Sequence, residues 1–300
     1  MDLELKSPCK VNLLLNILGP RPDGFHELET VLQPVGLCDT LTFARTGTGL
    51  ELSCSDPALP VDATNLVWRA AAAFFAAAGV TGGVRIHLEK QVPREAGLGG
   101  GSANAATTLR GLNHLFGRPL SGEALHTLAA GLGSDVPFFL QDGPALATGR
   151  GEVLRPLAPF PALEGWWVLL VHPGFGISTA WAYRALARFP AAQRGHPGRA
   201  DELVRALEAG DLSRAAPLFY NALEAPAFAK FPWLALARDF LAENGAAVSR
   251  MTGSGSVLFA LVPVPGRGEA LRERVLARFG ARLWTALVPL GAEGRFPGRF

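Results

Sequence analysis

Residues 93–106 read Pro-Arg-Glu-Ala-Gly-Leu-Gly-Gly-Gly-Ser-Ala-Asn-Ala-Ala, a run that permits few local structures. Gly97, Gly99, Gly100 and Gly101 strip four side chains from one short turn, and the Ala-rich run after Ser102 favours helix. Upstream, Val84-Arg85-Ile86-His87-Leu88-Glu89-Lys90 alternates apolar and polar as a strand does. Downstream, residues 102–116 carry apolar side chains at helical spacing. Strand, glycine turn and helix in that order suit an anion cradle, because bare backbone N–H groups can close on a phosphate. The first helical turn adds further donors and the positive end of the dipole. Glycine is abundant, at 35 of 300 residues, so an unliganded surface turn is the competing reading; the order of elements favours the cradle. Two other loops are excluded by the letters. No Gly-x-x-x-x-Gly-Lys-Ser/Thr occurs, and the dinucleotide fingerprint fails because Ser102 stands at its third glycine position.

A chain of 300 residues with 49% apolar and 18% charged side chains folds as two domains or one large one. Its net charge of +2 gives no footprint for nucleic acid or an acidic membrane, so any substrate charge must be met locally. The longest apolar run, near residues 70–80, falls short of the roughly 18 residues of a membrane span, and the first residues lack a signal pattern. Cys9, Cys38 and Cys54 show no Cys-x-x-Cys spacing. They are expected to be small buried hydrophobes in a reducing cytoplasm, without a disulfide or zinc site.

Along the chain, residues 9–18 alternate as a strand, with Lys10 opening it, where a charged end can look into a cleft. The firm turn of residues 19–24 leads through Phe25-His26 into strands over 27–34 and 41–44, then a Gly-rich stretch, 46–59. An aromatic beside a His can grip a flat heterocycle, or serve as core beside a satisfied polar group. Asn65 caps a helix through Ala78, and a further helix starts near Ser121. Asp135, in Gly133-Ser134-Asp135-Val136-Pro137-Phe138-Phe139, is either a turn residue or a catalytic carboxylate. In the second half, strands over 167–172, 246–251, 257–262 and 282–288 interleave with helices over 178–189, 201–209, 212–219, 233–244 and 268–279. That order favours a split-βαβ sandwich.

Three motifs stand in the order and spacing of the GHMP small-molecule kinases, which the sequence resembles: Pro8-Cys9-Lys10-Val11-Asn12-Leu13, the glycine loop, and Met251-Thr252-Gly253-Ser254-Gly255-Ser256. The Asp23-Gly24-Phe25-His26-Glu27-Leu28 run and the segment around Asp135 narrow the likeness to members acting on a cytidine-diphosphate-linked polyol of the non-mevalonate isoprenoid route. The resemblance implies an α+β, two-domain GHMP kinase fold. Residues 1–155 would form a ribosomal-protein-S5-domain-2-like α/β domain and residues 156–300 a ferredoxin-like split-βαβ domain. It also implies ATP and Mg2+ as cofactors, a small-molecule partner, and a monomer or weak homodimer. Asp135 then corresponds to the catalytic carboxylate and Lys10 to its basic partner, while Pro93, Gly97, Leu98, Gly99, Gly100, Gly101, Ser102 and Ala103 border the nucleotide. Phe25 and Tyr183 would flank a cytosine that His26 hydrogen-bonds, with Asn12, Thr179, Gly253 and Ser254 near the acceptor.

Two departures stand out. The family's loop usually continues Gly-Ser-Ser-Asp-Ala-Ala, whereas Ala103 and Asn104 occupy the second Ser and the Asp positions; Phe25 stands where Tyr is usual. Competing readings are a GHMP kinase for mevalonate, homoserine or a sugar, a non-catalytic ligand sensor of the same fold, and a Rossmann-type oxidoreductase.

Overall fold

The computed structural model describes residues 2–290. The first strand, β1 (Leu3–Pro20), pairs antiparallel with β2 (His26–Thr46) along almost its whole length, and β2 in turn pairs with β4 (Gly83–Glu89) and β5 (Ala145–Gly149). β3 (Leu50–Cys54) runs parallel to β4, β6 (Val153–Pro156) completes a hairpin with β5, and β8 (Tyr220–Asn221) adds in parallel to β1. The second sheet has the order β11-β7-β10-β9, built from β7 (Trp167–His172), β9 (Val248–Met251), β10 (Leu258–Val262) and β11 (Trp284–Pro289), with antiparallel neighbours throughout. That order is the ferredoxin-like split βαβ.

Three helices cover the first sheet: α1 (Leu66–Ala78), α2 (Gly100–Leu115) and α3 (Gly122–Leu132). Asn65 caps α1 as expected, its side chain accepting from the Val67 N–H. α2 is the central helix, buried without interruption from Ala103 to Asn113. The second half carries α4 (Thr179–Leu186), α5 (Pro190–Gln193), α6 (Arg199–Glu208), α7 (Leu212–Ala215), α8 (Glu224–Lys230), α9 (Pro232–Glu243) and α10 (Pro265–Phe279). No helix among the described residues is long and apolar enough to cross a membrane, and Cys9, Cys38 and Cys54 are free thiols.

Two local expectations are corrected. Lys10 does not open a strand: it lies in the middle of β1 and is 3% exposed. Irregularities in the β1–β2 register fall at Pro8/Cys9 and Asn12/Leu14, so the segment carrying Lys10 and Asn12 is bracketed by bulges that re-aim side chains. The Gly-rich stretch 46–59 contains β3, which a polar, glycine-flanked sequence does not advertise and which the neighbouring β4 imposes.

One buried acid ties β2 to the approach of the glycine loop. Asp39, 0% exposed, accepts from the Gln91 N–H at 2.8 Å and the Val92 N–H at 2.9 Å and pairs with the Lys90 ammonium. Replacing it strands two amides and a nearly buried ammonium. Asp39→Ala should lower unfolding free energy by about 3–5 kcal/mol, read by urea denaturation, with Asp39→Asn losing less because its amide oxygen still accepts.

Candidate active site

The glycine loop is held by its carbonyls. Glu95 O accepts from Ile177 N–H (3.4 Å), Ala96 O from Val257 N–H (3.2 Å), and Leu98 O from Lys10 N–H (3.0 Å). Gly97 O accepts from both Lys10 Nζ (2.7 Å) and Thr252 Oγ1 (3.3 Å). With the oxygens committed to the protein, the N–H groups of Gly97, Leu98, Gly99, Gly100, Gly101 and Ser102 have no acceptor among the described residues. Gly99 stands at the N-cap of α2 in the left-handed region (φ 71°) and supplies no side-chain cap. The helix therefore presents uncapped donors and its positive end to the same place.

These donors form one wall of a cleft of about 1560 Å³, larger than the roughly 300–1,000 Å³ of a pocket for one small ligand. Lys10 reaches in from the floor. Its ammonium donates to Asn12 Oδ1 at 2.6 Å and to Gly97 O at 2.7 Å, leaving one of three N–H donors for a ligand. Burial lowers its pKa, opposed by the negative charge of Asp135. Asp135 sits in the turn between α3 and a short 3-10 helix, Pro137–Leu140, and acts on Lys10 through its charge, while the ammonium's hydrogen bonds go to Asn12 and Gly97. Its side chain remains available to an acceptor in the cleft.

At the other end an aromatic pocket is assembled from two distant segments. His26 and Tyr183 have ring centroids 5.2 Å apart. Phe25 is 52% exposed, with the Arg150 guanidinium 4.6 Å from its ring centroid, a cation–π contact. Burial lowers the His26 pKa, favouring the neutral ring. Burial, and secondarily Asp135, raise that of Tyr183 and keep its hydroxyl protonated. Between the two ends Thr179 Oγ1 and Ser254 Oγ lie 2.8 Å apart, joining α4 to the turn after β9.

Of the residues singled out from the sequence, Lys10, Asn12, Phe25, His26, Pro93, Gly97, Leu98, Gly99, Gly100, Gly101, Ser102, Asp135, Thr179, Tyr183, Gly253 and Ser254 all line this one cleft. Ala103 stands apart: fully buried in the core under the sheet, it uses its N–H to close the first turn of α2 onto Gly99 O at 2.9 Å. Asn104 gives its side-chain oxygen to the Ser7 hydroxyl at 2.8 Å. Sequence reasoning missed Thr252, fully buried beside Asn12 and Gly97, and Arg150. Thr252 was legible as part of a Gly-Ser-rich turn; Arg150, on a hairpin with no motif, carried no signal.

An amide cradle, a buried ammonium and a cleft-facing carboxylate, joined between a three-helix α/β layer and a split βαβ, define a small-molecule kinase of the GHMP class. Family models agree: "GHMP kinases N terminal domain" matches residues 65–143 and "GHMP kinases C terminal" residues 203–281. A 4-diphosphocytidyl-2-C-methyl-D-erythritol kinase from Synechococcus sp. (strain JA-3-3Ab) is 43% identical, over 90% of this chain and 88% of that one. One from Chlorobium chlorochromatii (strain CaD3) is 41% identical, over 95% and 96%. A crystal structure of 4-(cytidine 5'-diphospho)-2C-methyl-D-erythritol kinase superposes with a TM-score of 0.78 at 36% identity, covering 96% of this chain and all of that one. Homoserine kinase from Cytophaga hutchinsonii, at 20% identity and a TM-score of 0.76, shares the fold. The chain belongs to the 4-diphosphocytidyl-2-C-methyl-D-erythritol kinase family.

The loop's glycines are unequal. A Cβ on Gly97 (φ +80°) would lie 2.0 Å from Thr252 O, whereas one on Gly101 would meet only Leu66 Cδ1 at 3.6 Å. Gly97→Ala should therefore cost more than the roughly 1–2 kcal/mol of a left-handed backbone alone. Gly101→Ala, inside α2, should be neutral or stabilising by up to about 1 kcal/mol. Urea titration of the two variants checks the opposite signs.

Proposed function

We propose that the chain transfers the γ-phosphoryl group of ATP to the 2-hydroxyl of 4-diphosphocytidyl-2-C-methyl-D-erythritol, in the cytoplasm, as a step of isoprenoid synthesis. The supporting observation is a single cleft lined by amides with no acceptor among the described residues, by an aromatic-imidazole pocket, and by Asp135, whose charge acts on both Lys10 and Tyr183. A pyrimidine stacks against the rings of Phe25 and Tyr183, and neutral His26 exchanges a hydrogen bond with its edge. A mevalonate or homoserine acceptor would leave that pocket without a partner.

Phosphoryl transfer passes through a loose transition state, so the protein mainly aligns the hydroxyl and neutralises phosphate charge. Asp135 orients the acceptor hydroxyl and takes its proton as the new O–P bond forms and the bond from the γ-phosphorus to the β,γ-bridging oxygen breaks, releasing ADP. A carboxylate is a weak base toward an alcohol, so this proton moves late. The remaining N–H of Lys10 points charge at the transferring group, and the cradle's amides hold the phosphates.

The oxygen donors fit a Mg2+ carried on the nucleotide. Ser102, at the first turn of α2 and with no hydrogen bond of its own among the described residues, and the Asp135 carboxylate both face the cleft. Mg2+ takes most of its ligands from phosphates and water and few from protein. When bound, it would neutralise charge on the phosphate oxygens.

Asp135→Asn should retain nucleotide affinity and lose turnover by roughly 10²–10⁴-fold, measured by a coupled kinase assay beside a direct ATP titration; near-normal turnover would remove Asp135 from the mechanism. Because burial favours neutral His26, the KM for the cytidylyl acceptor should be flat above neutrality. It should rise as pH falls through the His26 pKa, and a His26→Gln variant should lose that acid-side rise.

A further inference from the structure

Lys10 can act as described only if the atom of Asn12 facing it is the amide oxygen, and the structure contains a device that decides this. Thr30, on β2 and 4% exposed, donates its one hydroxyl proton to Leu14 O at 2.5 Å. With the proton committed there, Thr30 Oγ1 can only accept, and it accepts from Asn12 Nδ2 at 2.9 Å. The Asn12 amide is thereby locked with its NH2 toward β2 and its oxygen toward Lys10 Nζ at 2.6 Å. Thr252 does not share this control. Its hydroxyl accepts from the Asn12 backbone N–H at 3.0 Å and has both Asn12 Oδ1 (3.2 Å) and Gly97 O (3.3 Å) in reach as acceptors. It can therefore satisfy itself with the amide turned either way.

We propose that Thr30 is a positioning residue for phosphoryl transfer: a directed chain from Leu14 O through Thr30 and Asn12 fixes the acceptor that holds Lys10 as an ammonium. The inference rests on the kinase reading given above. Without the Thr30 hydroxyl, the amide can rotate and set N–H donors against the buried ammonium. The charged or titratable groups acting on Lys10 are Asp135 across the cleft and Cys9 on its own strand, and neither can take the place of the lost oxygen. The protonated lysine is then disfavoured beyond the effect of burial, so activity is lost at lower pH on the alkaline side.

The test compares wild type with Thr30→Val, Thr30→Ala and Thr30→Ser in kcat, KM for each substrate, the pH profile of kcat, and thermal stability. Thr30→Val and Thr30→Ala are expected to lower kcat at least tenfold with both KM values within about twofold of wild type, and to move the alkaline limb of kcat to lower pH. Thr30→Ser, which restores the hydroxyl, should recover both rate and profile. The proposal is overturned if Val and Ala variants keep the wild-type pH profile. It is equally overturned if Val fails to fold while Ala turns over normally, or if both lose only stability. A wild-type protein inactive toward the cytidylyl acceptor would instead sink the assigned reaction, a result separable from any of these.

Discussion

Five consecutive carbonyls, from Glu95 to Gly99, are hydrogen-bonded away from the cleft, and the binding capacity of the site follows from that arrangement. A peptide plane has two polar ends, so fixing its oxygen toward the protein interior directs its N–H outward. Here the oxygens are claimed by β1, by the turn after β9, by the segment before α4 and by the first turn of α2. The N–H groups of residues 96–100 share planes with those carbonyls, those of Gly101 and Ser102 open α2, and from Gly97 to Ser102 none has an acceptor among the described residues. An anion binding there meets donors already aligned, and the cost of ordering them was met when the chain folded.

The same arrangement explains why a buried lysine is tolerated. Burial alone disfavours an ammonium, and Lys10 is relieved by two fixed oxygens and the field of Asp135. Bulges on both sides of the segment 10–12 let β1 turn the Lys10 and Asn12 side chains toward the loop while its other side chains fill the core. Lys10 also pairs in register with Pro34, which has no N–H, and its own N–H serves Leu98 O. The strand is thus locally diverted from sheet-making to loop-holding.

Much of this was legible before coordinates. The glycine turn, the N-cap at Asn65 and the order of strands and helices in the second half follow from residue type and periodicity, whereas the gathering of Lys10, His26, Asp135 and Tyr183 on one cleft was an expectation of the family resemblance. What was not legible depends on partners remote in sequence. Strand β3 exists because β4 offers an edge, and β5 is an Ala-Leu-Ala-Thr-Gly segment of weak strand preference that β2 recruits. The mid-strand setting of Lys10 escaped because alternation cannot report a bulge. Ala103 escaped because the helix turns it inward, and helical phase at a glycine-rich start is not fixed by the letters.

The cradle also requires both halves of the chain at once. Asn221 on β8, 1% exposed, donates to Met251 O and Gly253 O at 2.8 Å each, and so shapes the turn that carries Thr252. β8 is itself paired with β1 at Leu14 and Leu15, and Thr252 returns to β1 through Asn12 and to the loop through Gly97. The path β1, β8, turn, glycine loop, β1 is therefore closed. In a closed path no single strut can relax without moving the next, because each contact shares a residue or a peptide with its neighbour. A first half on its own would keep the Gly99 and Leu98 carbonyl bonds but lose the partners of Glu95 O and Ala96 O and one of the two donors to Gly97 O. Those planes would be free to rotate, and the amides would no longer converge. The second half thus acts on the amide cradle through the backbone of the loop, and the two sheets shape that cradle together.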